Sequence, residues 1–299
     1  MRASFFFSSI AVLMLGSAIT FAAESSPKIA FDRNGVVYTA NVDGKGLKKV
    51  AEGDLPQISP DGTRVAFTTN EPSDKTPVRH IAVADLASGK VNVFKGVAGD
   101  NSFGPVWSPD GRTLLFNTFA DGDWALGLVN ADGTGFKIVK KAESKSRSYY
   151  EPCWAADGKS FFAHDLDEIC LFDLSGKQLK KWTIHNIVEN GDMSSGCRLS
   201  LSPDGKSLLM DIEMAEEHNR KNWDGPPPSL WLLPLDAEKA TRLTKKGFFG
   251  WDAAWISNDE FVFLSQSAKE SKPSLYRGSI KGGENKLILK DARTPSVAK

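Results

Sequence analysis

Ser59-Pro60-Asp61-Gly62, followed by the apolar segment 63–67 (TRVAF), is the stretch of sequence that decides the fold. The same unit returns four more times along the chain, with small changes in the turn. Its later copies are Ser108-Pro109-Asp110-Gly111, Ala155-Ala156-Asp157-Gly158, Ser202-Pro203-Asp204-Gly205 and Ser257-Asn258-Asp259. The five turn aspartates lie 49, 47, 47 and 55 positions apart, a period typical of propeller blades of four short strands.

Each unit has the same order of strands and turns. A short strand such as residues 104–107 precedes the turn, in which Pro presets φ, Asp bonds its own backbone and Gly permits the exit angle. An apolar second strand (114–116), a variable loop, a third strand (125–129), a second Gly-rich turn and a fourth strand (136–139) follow. Helix content should be very low, because no segment keeps apolar residues three and four positions apart.

The two ends of the chain determine the number of blades. Residues 29–31, 35–41 and 47–51 supply strands two to four of a first unit that has no first strand of its own. Residues 294–298 (TPSVA) resemble the start of the other units, and Pro295 stands where three of them have proline. We therefore predict that this segment completes the first blade and closes an all-β, six-bladed propeller over residues 27–299. The alternative is a disordered tail after Lys290. The five complete units are expected at about 54–97, 101–142, 148–184, 195–244 and 250–290.

The composition excludes several classes of protein. Of 299 residues, 41% are hydrophobic and 25% are charged, which is typical of a globular chain. The 37 basic and 37 acidic residues cancel, so the basic excess of a nucleic-acid-binding protein is missing. We expect a monomer with no nucleic-acid partner and no cofactor.

The first 22 residues are typical of a secretory signal peptide. Arg2 is followed by an apolar stretch that reaches Leu15, and small residues precede a predicted cleavage site after Ala22. The apolar part is short for a membrane span, which is the alternative interpretation. The sequence thus predicts a periplasmic or secreted protein with no integral membrane segment after cleavage.

These repeats, together with Asn130–Gly135 (NADGTG), resemble the TolB-type β-propeller repeat over nearly the whole chain after the signal peptide. The resemblance implies the fold and says little about function, because one fold supports many activities. TolB also has an α/β domain before its propeller. Here the first blade follows the signal peptide almost directly, so we expect a propeller without that domain and without the family's translocation role.

The loops indicate where a ligand would bind. One face of the disc carries tight Gly/Asp-rich turns, whereas the other carries longer, varied loops, and varied loops on a rigid scaffold commonly carry function. We predict that this loop face holds a protein segment or a cell-envelope or carbohydrate ligand. For the aromatic residues, burial in the core is the alternative. The candidate binding residues are Arg147, Tyr149, Tyr150, His185, Trp223 and Trp251.

A metal-dependent carbohydrate (oligouronide) lyase is the alternative function. Some pectin-fragment lyases of similar fold use His-rich metal sites, and His164, His185 and His218 are the corresponding candidates in this chain. No HxH or HxxxH pair enforces their proximity, and no residue pair of fixed spacing indicates a nucleophile or a base. We therefore assign no catalytic residue.

Two further features carry structural predictions. Trp107, Trp154 and Trp255 occupy matching positions on first strands and should fill the space between blades. Cys153 and Cys197 lie on or near neighbouring first strands, which permits a disulfide, although a core role for all three cysteines is the alternative.

Overall fold

The computed structural model describes residues 27–72, 78–97, 99, 101–144, 147–215, 223 and 225–298. Over these ranges the chain forms six four-stranded antiparallel sheets and one four-residue helix. The sheets are the blades of a six-bladed β-propeller, as predicted. The predicted signal peptide lies outside the described residues. No helix within these ranges is both long enough and apolar enough to cross a bilayer.

In each blade, the strands follow one another in order from the central channel outward. Blade 1 contains β24 (Arg293–Val297), β1 (Lys28–Arg33), β2 (Val36–Asn41) and β3 (Lys48–Glu52), and blade 2 contains β4 (Asp54–Ile58), β5 (Arg64–Glu71), β6 (Val78–Asp85) and β7 (Val91–Val93). Blade 3 contains β8 (Ser102–Trp107), β9 (Thr113–Ala120), β10 (Asp123–Asn130) and β11 (Lys137–Lys141), and blade 4 contains β12 (Tyr150–Trp154), β13 (Ser160–His164), β14 (Glu168–Asp173) and β15 (Gln178–Thr183). Blade 5 contains β16 (Leu199–Leu201), β17 (Ser207–Glu213), β18 (Pro228–Pro234) and β19 (Thr241–Arg242), and blade 6 contains β20 (Gly250–Trp255), β21 (Glu260–Ser265), β22 (Ser274–Ser279) and β23 (Lys286–Lys290). Helix α1 (Ile184–Ile187) links blades 4 and 5.

The hydrophobic core lies between neighbouring blades. One cluster joins Ala66 and Ile81 of blade 2 to Phe116 and Val129 of blade 3, all fully buried. Because the second strand of a blade is covered on both faces, it reads in the sequence as a continuous apolar run. All five residues of β13 are buried, for example.

The Ser-Pro-Asp-Gly turns close by side-chain hydrogen bonds. Asp61 Oδ1 accepts from the hydroxyl of Ser59 at 2.5 Å and from the amide of Thr63 at 3.1 Å. Gly62 adopts φ +67°, a left-handed conformation that glycine reaches without steric cost. The serine hydroxyl lowers the pKa of Asp61, and the equivalent bonds lower the pKa of Asp110 and Asp204. The turns thus favour the charged carboxylate.

The C-terminal strand closes the ring, which confirms the prediction. Ile29 of β1 pairs with Val297 of β24, and Ala30 pairs with Ser296. Blade 1 is therefore built from both ends of the described chain. Closure removes the strand edge that an open array would expose.

Three tryptophans join neighbouring blades at the channel. The indole Nε1 of Trp107 donates to the carbonyl of Gln57 at 2.9 Å, and that of Trp154 donates to Val106 at 3.1 Å. Trp255 does the same to Ser200 at 2.9 Å. All three are at most 7% exposed, so their predicted place between blades is confirmed.

The three cysteines have the core role, which was one of the two alternatives. Cys153, Cys170 and Cys197 all lie within the described ranges, all are buried and none is in a disulfide. Burial raises the pKa of Cys170 and Cys197 to about 12, so both thiols stay protonated at neutral pH.

Candidate functional site

A bulge interrupts the innermost strands where they line the channel. The residue six positions before the turn aspartate is Leu55, Gly104 or Glu151 in blades 2 to 4, and each has φ between +46° and +63°. Glycine adopts such a conformation freely, whereas for other residues it costs about 1–3 kcal/mol of free energy. Such strain persists only where the surrounding structure fixes the backbone. We call the six equivalent residues the bulge ring. They are Leu55, Gly104, Glu151, Asp252 and Thr294, which all have positive φ, and Arg198, which stands at the same place in blade 5 without positive φ. In blade 6 the six positions are counted back from Asn258 rather than from Asp259.

Polar side chains of the second strands satisfy the amides of the bulge ring in the next blade. The amide of Gly104 donates to Thr68 Oγ1 at 3.1 Å, and that of Glu151 donates to Asn117 Oδ1 at 3.3 Å. The amide of Asp252 donates to Asp211 Oδ2 at 3.0 Å. A buried backbone amide without a hydrogen-bond acceptor would be destabilising. This explains why each of these otherwise apolar second strands has a polar residue at this position.

Four carboxyl groups surround one arginine at the level of the bulge ring. Glu151 and Arg198 form an ion pair, with 3.5 Å between Oε2 and Nε, and their side chains are only 14% and 16% exposed. Asp211 and Asp252 are 3% and 8% exposed, and Asp32 is 5% exposed. We call these four carboxyl groups and Arg198 the acidic cluster.

Burial raises the pKa of every carboxyl group in the acidic cluster. The pKa of Glu151 rises to about 7, although the nearby Arg198 opposes the shift. Burial also raises the pKa of Asp32 and Asp252, and burial together with the charge of Asp252 raises that of Asp211 far above its usual range. Burial works against the charge on Arg198, but Asp252, Glu151 and Asp211 outweigh it and raise the arginine's pKa. Because the pKa of Glu151 lies near 7, this carboxyl group is partly protonated at neutral pH.

Three buried polar atoms at the equivalent position of second strands have no hydrogen-bond partner among the described residues. They are Asn117 Nδ2, His164 Nδ1 and Asp211 Oδ1. The other carboxylate oxygen of Asp211 accepts the amides of both Arg198 and Asp252, so this carboxyl group lies between the innermost strands of blades 5 and 6. Unpartnered buried polar atoms are rare in native proteins.

A cavity of about 330 Å³ lies between the turn face and two members of the acidic cluster. Glu151 and Arg198 belong to its lining at the end away from the turns. Its walls include Trp107, Trp154 and Trp255, and turn residues stand at its opening, namely Pro60, Pro109, Ala156 and Pro203. This cavity therefore opens on the face opposite to the one for which the sequence predicted a ligand.

The loop face carries a ring of larger side chains around the other end of the channel. The residue directly before each member of the bulge ring is Asp54, Phe103, Tyr150, Cys197, Trp251 or Arg293. We call these six the mouth residues. Phe103, Tyr150 and Trp251 are half-buried, and Cys197 is buried. Arg79 lies over the ring of Phe103 at 3.9 Å.

The structure brings three of the predicted binding residues to this mouth. Tyr150 and Trp251 are both mouth residues. Trp223 packs edge-on against Trp251 with 5.4 Å between ring centroids, and against Phe249 at 5.0 Å. Trp223 lies in the segment between β17 and β18, of which residues 216–222 and 224 lie outside the described ranges.

The other predicted binding residues have different places. Tyr149 is 2% exposed and packs edge-on against Phe172 at 4.9 Å. Arg147 donates to Asp165 at 2.6 Å and to Glu168 at 2.8 Å, and the bond to Asp165 raises its pKa. Both residues are therefore engaged within the protein.

His185 lies on α1 rather than among the mouth residues. Its side chain is 62% exposed, and its Nε2 stands 3.8 Å from a carboxylate oxygen of Asp192. No ring contact or hydrogen bond described for it connects it to Tyr150, Trp223 or Trp251.

The histidines that the sequence suggested as metal ligands are not assembled by the described part of the chain. His164 is fully buried on β13, and its Nε2 is 2.9 Å from the carbonyl oxygen of Cys197. His218 lies outside the described residues. Across the described ranges, no group of three or more His, Cys, Asp or Glu side chains is arranged to hold a metal ion.

Sequence reasoning missed the acidic cluster, although a signal was present. Glu151 and Arg198 stand six positions before a turn aspartate, and Asn117, His164 and Asp211 stand seven positions after one. Aligning the repeats on their turns would have placed these polar residues in register within otherwise apolar strands. The cluster is built from several blades, so no single unit reveals it.

Comparisons with known proteins agree with this fold. No protein-family profile matches the chain. An uncharacterized peptidase, YuxL, from Bacillus subtilis is 25% identical over 202 residues, which are 54% of this chain and 29% of that protein. A TolB homologue from Chlorobaculum tepidum is 32% identical over 108 residues, 34% of this chain and 23% of that protein. The chain spans less than a third of the length of either relative.

Solved structures resemble nearly the whole described propeller. TolB from Acinetobacter baumannii aligns with a TM-score of 0.67 at 19% identity, over 92% of this chain and 67% of that one. A putative TolB from Agrobacterium tumefaciens gives 0.64 at 16% identity, over 90% and 91%. A chain of a nidogen–laminin complex gives 0.63 at 10% identity, over 92% and 99%. Identities this low show a shared fold alone.

Proposed function

We propose that this TolB-like propeller is an exported binding module that holds a polypeptide segment at the loop-face mouth of its channel. One observation carries the proposal: Phe103, Tyr150 and Trp251 occupy equivalent positions around the mouth, and all three are half-buried. Aromatic side chains that are held rigidly and partly exposed supply much of the contact energy in protein recognition. The closed ring fixes them before any ligand arrives, which reduces the entropy cost of binding.

The charges near these aromatic rings favour a polypeptide over a neutral sugar. Asp54 and Arg293 are mouth residues of opposite sign, and Arg79 stacks on Phe103. A peptide offers amides, side chains of both signs and apolar groups to such a surface, whereas a neutral sugar would use the aromatic rings alone. The same fold occurs in a chain of a complex between nidogen and laminin.

Export rests on the N-terminal sequence. Residues 1–22 have the charged start, apolar stretch and small residues of a cleavable signal peptide. We infer a periplasmic or secreted location from this pattern.

No observation favours the lyase. Burial lowers the pKa of His164 to about 4, and the imidazole contacts the backbone carbonyl of Cys197 instead of facing a substrate. We therefore do not develop that alternative.

A peptide-display experiment tests the proposal. The mature protein is immobilised and screened against random peptides, and the affinities of the selected peptides are measured for variants. We expect Trp251→Ala and Tyr150→Ala to weaken the selected peptides at least tenfold. Leu179→Ala, which changes a 52% exposed side chain on the outermost strand of blade 4, is the matched control and should have no effect. Failure to select any peptide, or equal affinity in all variants, would contradict the proposal.

A further inference from the structure

We propose that the polypeptide held at the mouth places a carboxylate on Arg79 and an apolar side chain on the neighbouring rings of Trp124 and Phe119. The ligand is therefore an acidic peptide with an apolar residue close to its acidic one. This inference rests on the proposed function and adds the chemical class of the ligand to it.

Arg79 is held in place beside the mouth residue Phe103. It is the second residue of β6 in blade 2, and a parallel β-bridge joins it to Asn101 at the entry to blade 3. Its Nε donates to Asn101 Oδ1 at 2.6 Å, and its guanidinium carbon lies 3.9 Å from the centre of the Phe103 ring. A planar guanidinium that is already bonded and stacked loses little conformational entropy when it binds a ligand.

The guanidinium of Arg79 has no carboxylate or backbone-carbonyl partner among the described residues. Five other half-buried arginines do have one, and they are Arg33, Arg64, Arg147, Arg198 and Arg277. Within the described ranges the side chain of Arg79 makes its one hydrogen bond through Nε, and neither Nη nitrogen belongs to the buried atoms that lack a partner. Both Nη groups are therefore accessible and can donate to a ligand.

Acidic side chains near Arg79 have other partners. Asp54 acts on Arg79 through its charge without forming an ion pair with it, and its Oδ2 accepts a hydrogen bond from Asn70 Nδ2 at 2.8 Å. Glu71, at the end of β5, pairs with Lys95 at 3.0 Å. Burial lowers the pKa of Arg79, and the charge of Asp54 only partly opposes this effect. A carboxylate that binds both Nη groups would supply the missing counter-charge in the bidentate geometry that a guanidinium favours.

Apolar surface continues from Phe103 along blade 3. Phe103 packs edge-on against Trp124 with 5.4 Å between ring centroids, and Trp124 packs in the same way against Phe119 at 5.3 Å. Phe119 is 41% exposed and Trp124 is half-buried, so both rings can contact a ligand. In an extended peptide, residues two positions apart point to the same side and lie about 7 Å apart. A peptide with its acidic side chain on Arg79 can thus place a nearby apolar side chain on these rings.

The sequences of display-selected peptides test the inference directly. We expect peptides selected on the unaltered protein to share an aspartate or glutamate with an apolar residue within about three positions of it. Peptides selected on the Arg79→Glu variant should carry a lysine or an arginine at that place instead. Arg277→Glu is the matched control, because Arg277 pairs with Glu260 at the turn end of blade 6, and it should return acidic peptides.

A double-mutant cycle measures the pair itself. The acidic residue of a selected peptide is replaced by its amide, and Arg79 is replaced by glutamine, with melting temperatures to check that the variants fold. Each change alone should weaken binding about tenfold, and both together should weaken it no more than about tenfold, because each removes the same interaction. Arg79→Lys keeps the charge without the planar fork and should recover part of the loss. Losses that multiply to about a hundredfold would overturn the inference.

The outcomes separate this inference from the proposed function. Selected peptides that lack acidic residues and still lose affinity for Trp251→Ala would overturn the inference and leave the proposed function standing. Failure to select any peptide would contradict both. An oligogalacturonide that displaces a selected peptide at equal or lower concentration would assign the carboxylate to a sugar acid, and it would also overturn the inference.

Discussion

The hydroxyl of Ser296 accepts the backbone amide of Ile58 at 3.0 Å, which joins two residues 238 positions apart. Ser296 lies on β24 in blade 1, and Ile58 lies on β4 in blade 2. The strand that completes the first blade is therefore also bonded to the next blade. The C-terminal strand thus closes the ring both within a sheet and between two sheets.

Removal of the C-terminal strand should destabilise the whole propeller. Deletion of residues 293–299 would expose the edge of β1 and the inner side of blade 2, so we expect aggregation or a large fall in the melting temperature. Ser296→Ala leaves the amide of Ile58 unpaired and should cost about 1–3 kcal/mol by denaturant unfolding. Ser279→Ala removes a half-buried hydroxyl at the end of β22 that accepts only the nearby amide of Lys281, and it serves as the control. An unchanged melting temperature after the deletion would contradict closure.

The indole bonds between blades should be measurable one at a time. Trp154→Phe keeps an aromatic ring and removes the donor to Val106, which leaves a partly buried carbonyl without its partner. We expect a loss of about 1–3 kcal/mol in the free energy of unfolding. Trp124→Phe, at a half-buried position near the start of the third strand β10, should change it much less. Similar losses for the two variants would show that the bond contributes nothing specific.

Substitution of Tyr149 should mainly lower stability, whereas substitution of the adjacent Tyr150 should mainly weaken peptide binding. Tyr149 is 2% exposed and packs against Phe172, so Tyr149→Ala should cost about 3–5 kcal/mol. Tyr150 is half-buried at the mouth, so Tyr150→Ala should cost less and should weaken the selected peptides instead. Thermal unfolding and peptide titration of both variants check this pair. The reverse pattern would place Tyr149 at the binding surface.

The acidic cluster should make the protein less stable as the pH rises. The folded protein holds the pKa of Glu151 at about 7, above its ordinary value of 4.5, so folding binds protons between these values. Stability should therefore fall from pH 5 to pH 8, by at most about 3 kcal/mol from this residue. Glu151→Gln should reduce that difference and raise the melting temperature at pH 8. A melting temperature that rises from pH 5 to pH 8 would contradict the assignment.

The turn aspartates act in the opposite direction at lower pH. Their serine partners lower the pKa of Asp61, Asp110 and Asp204, so the stability that these groups contribute is lost as the pH falls below about 4. The two effects together predict a stability maximum at mildly acidic pH.

Cleavage of the predicted signal peptide determines the mass of the exported protein. Expression of the full chain in a Gram-negative host should yield a mature protein that begins at Ala23, which intact-protein mass spectrometry of the periplasmic fraction would show. A protein that keeps Met1 and stays in the membrane fraction would support the uncleaved anchor.

The fold was predictable because it repeats. Each Ser-Pro-Asp-Gly turn gave the same local prediction, and the period fixed the blades to within a few residues. Pro295 was enough to identify the closing strand, because its position matched prolines in other units. The register of strands followed from the turns, which are local in sequence.

The site was predictable only in part, because its residues come from different blades. Tyr150 and Trp251 were predicted as candidate binding residues, with burial in the core as the alternative, and their equivalent places around the mouth became visible only with the bulge positions. Tyr149 illustrates why loop position is a weak guide, since adjacent residues at a strand start face opposite sides. Glu151 and Arg198 were not predicted as site residues. An isolated charged residue on a short strand cannot be distinguished from a solvent-exposed one until its position relative to the channel is known.

Photo-crosslinking of a selected peptide tests the central claim most directly. A benzophenone group is placed in a display-selected peptide, and mass spectrometry locates the crosslinked residues in the unaltered protein. The account predicts crosslinks to mouth residues, above all Phe103, Tyr150 and Trp251. Crosslinks confined to the turn face or to the outermost strands would contradict it.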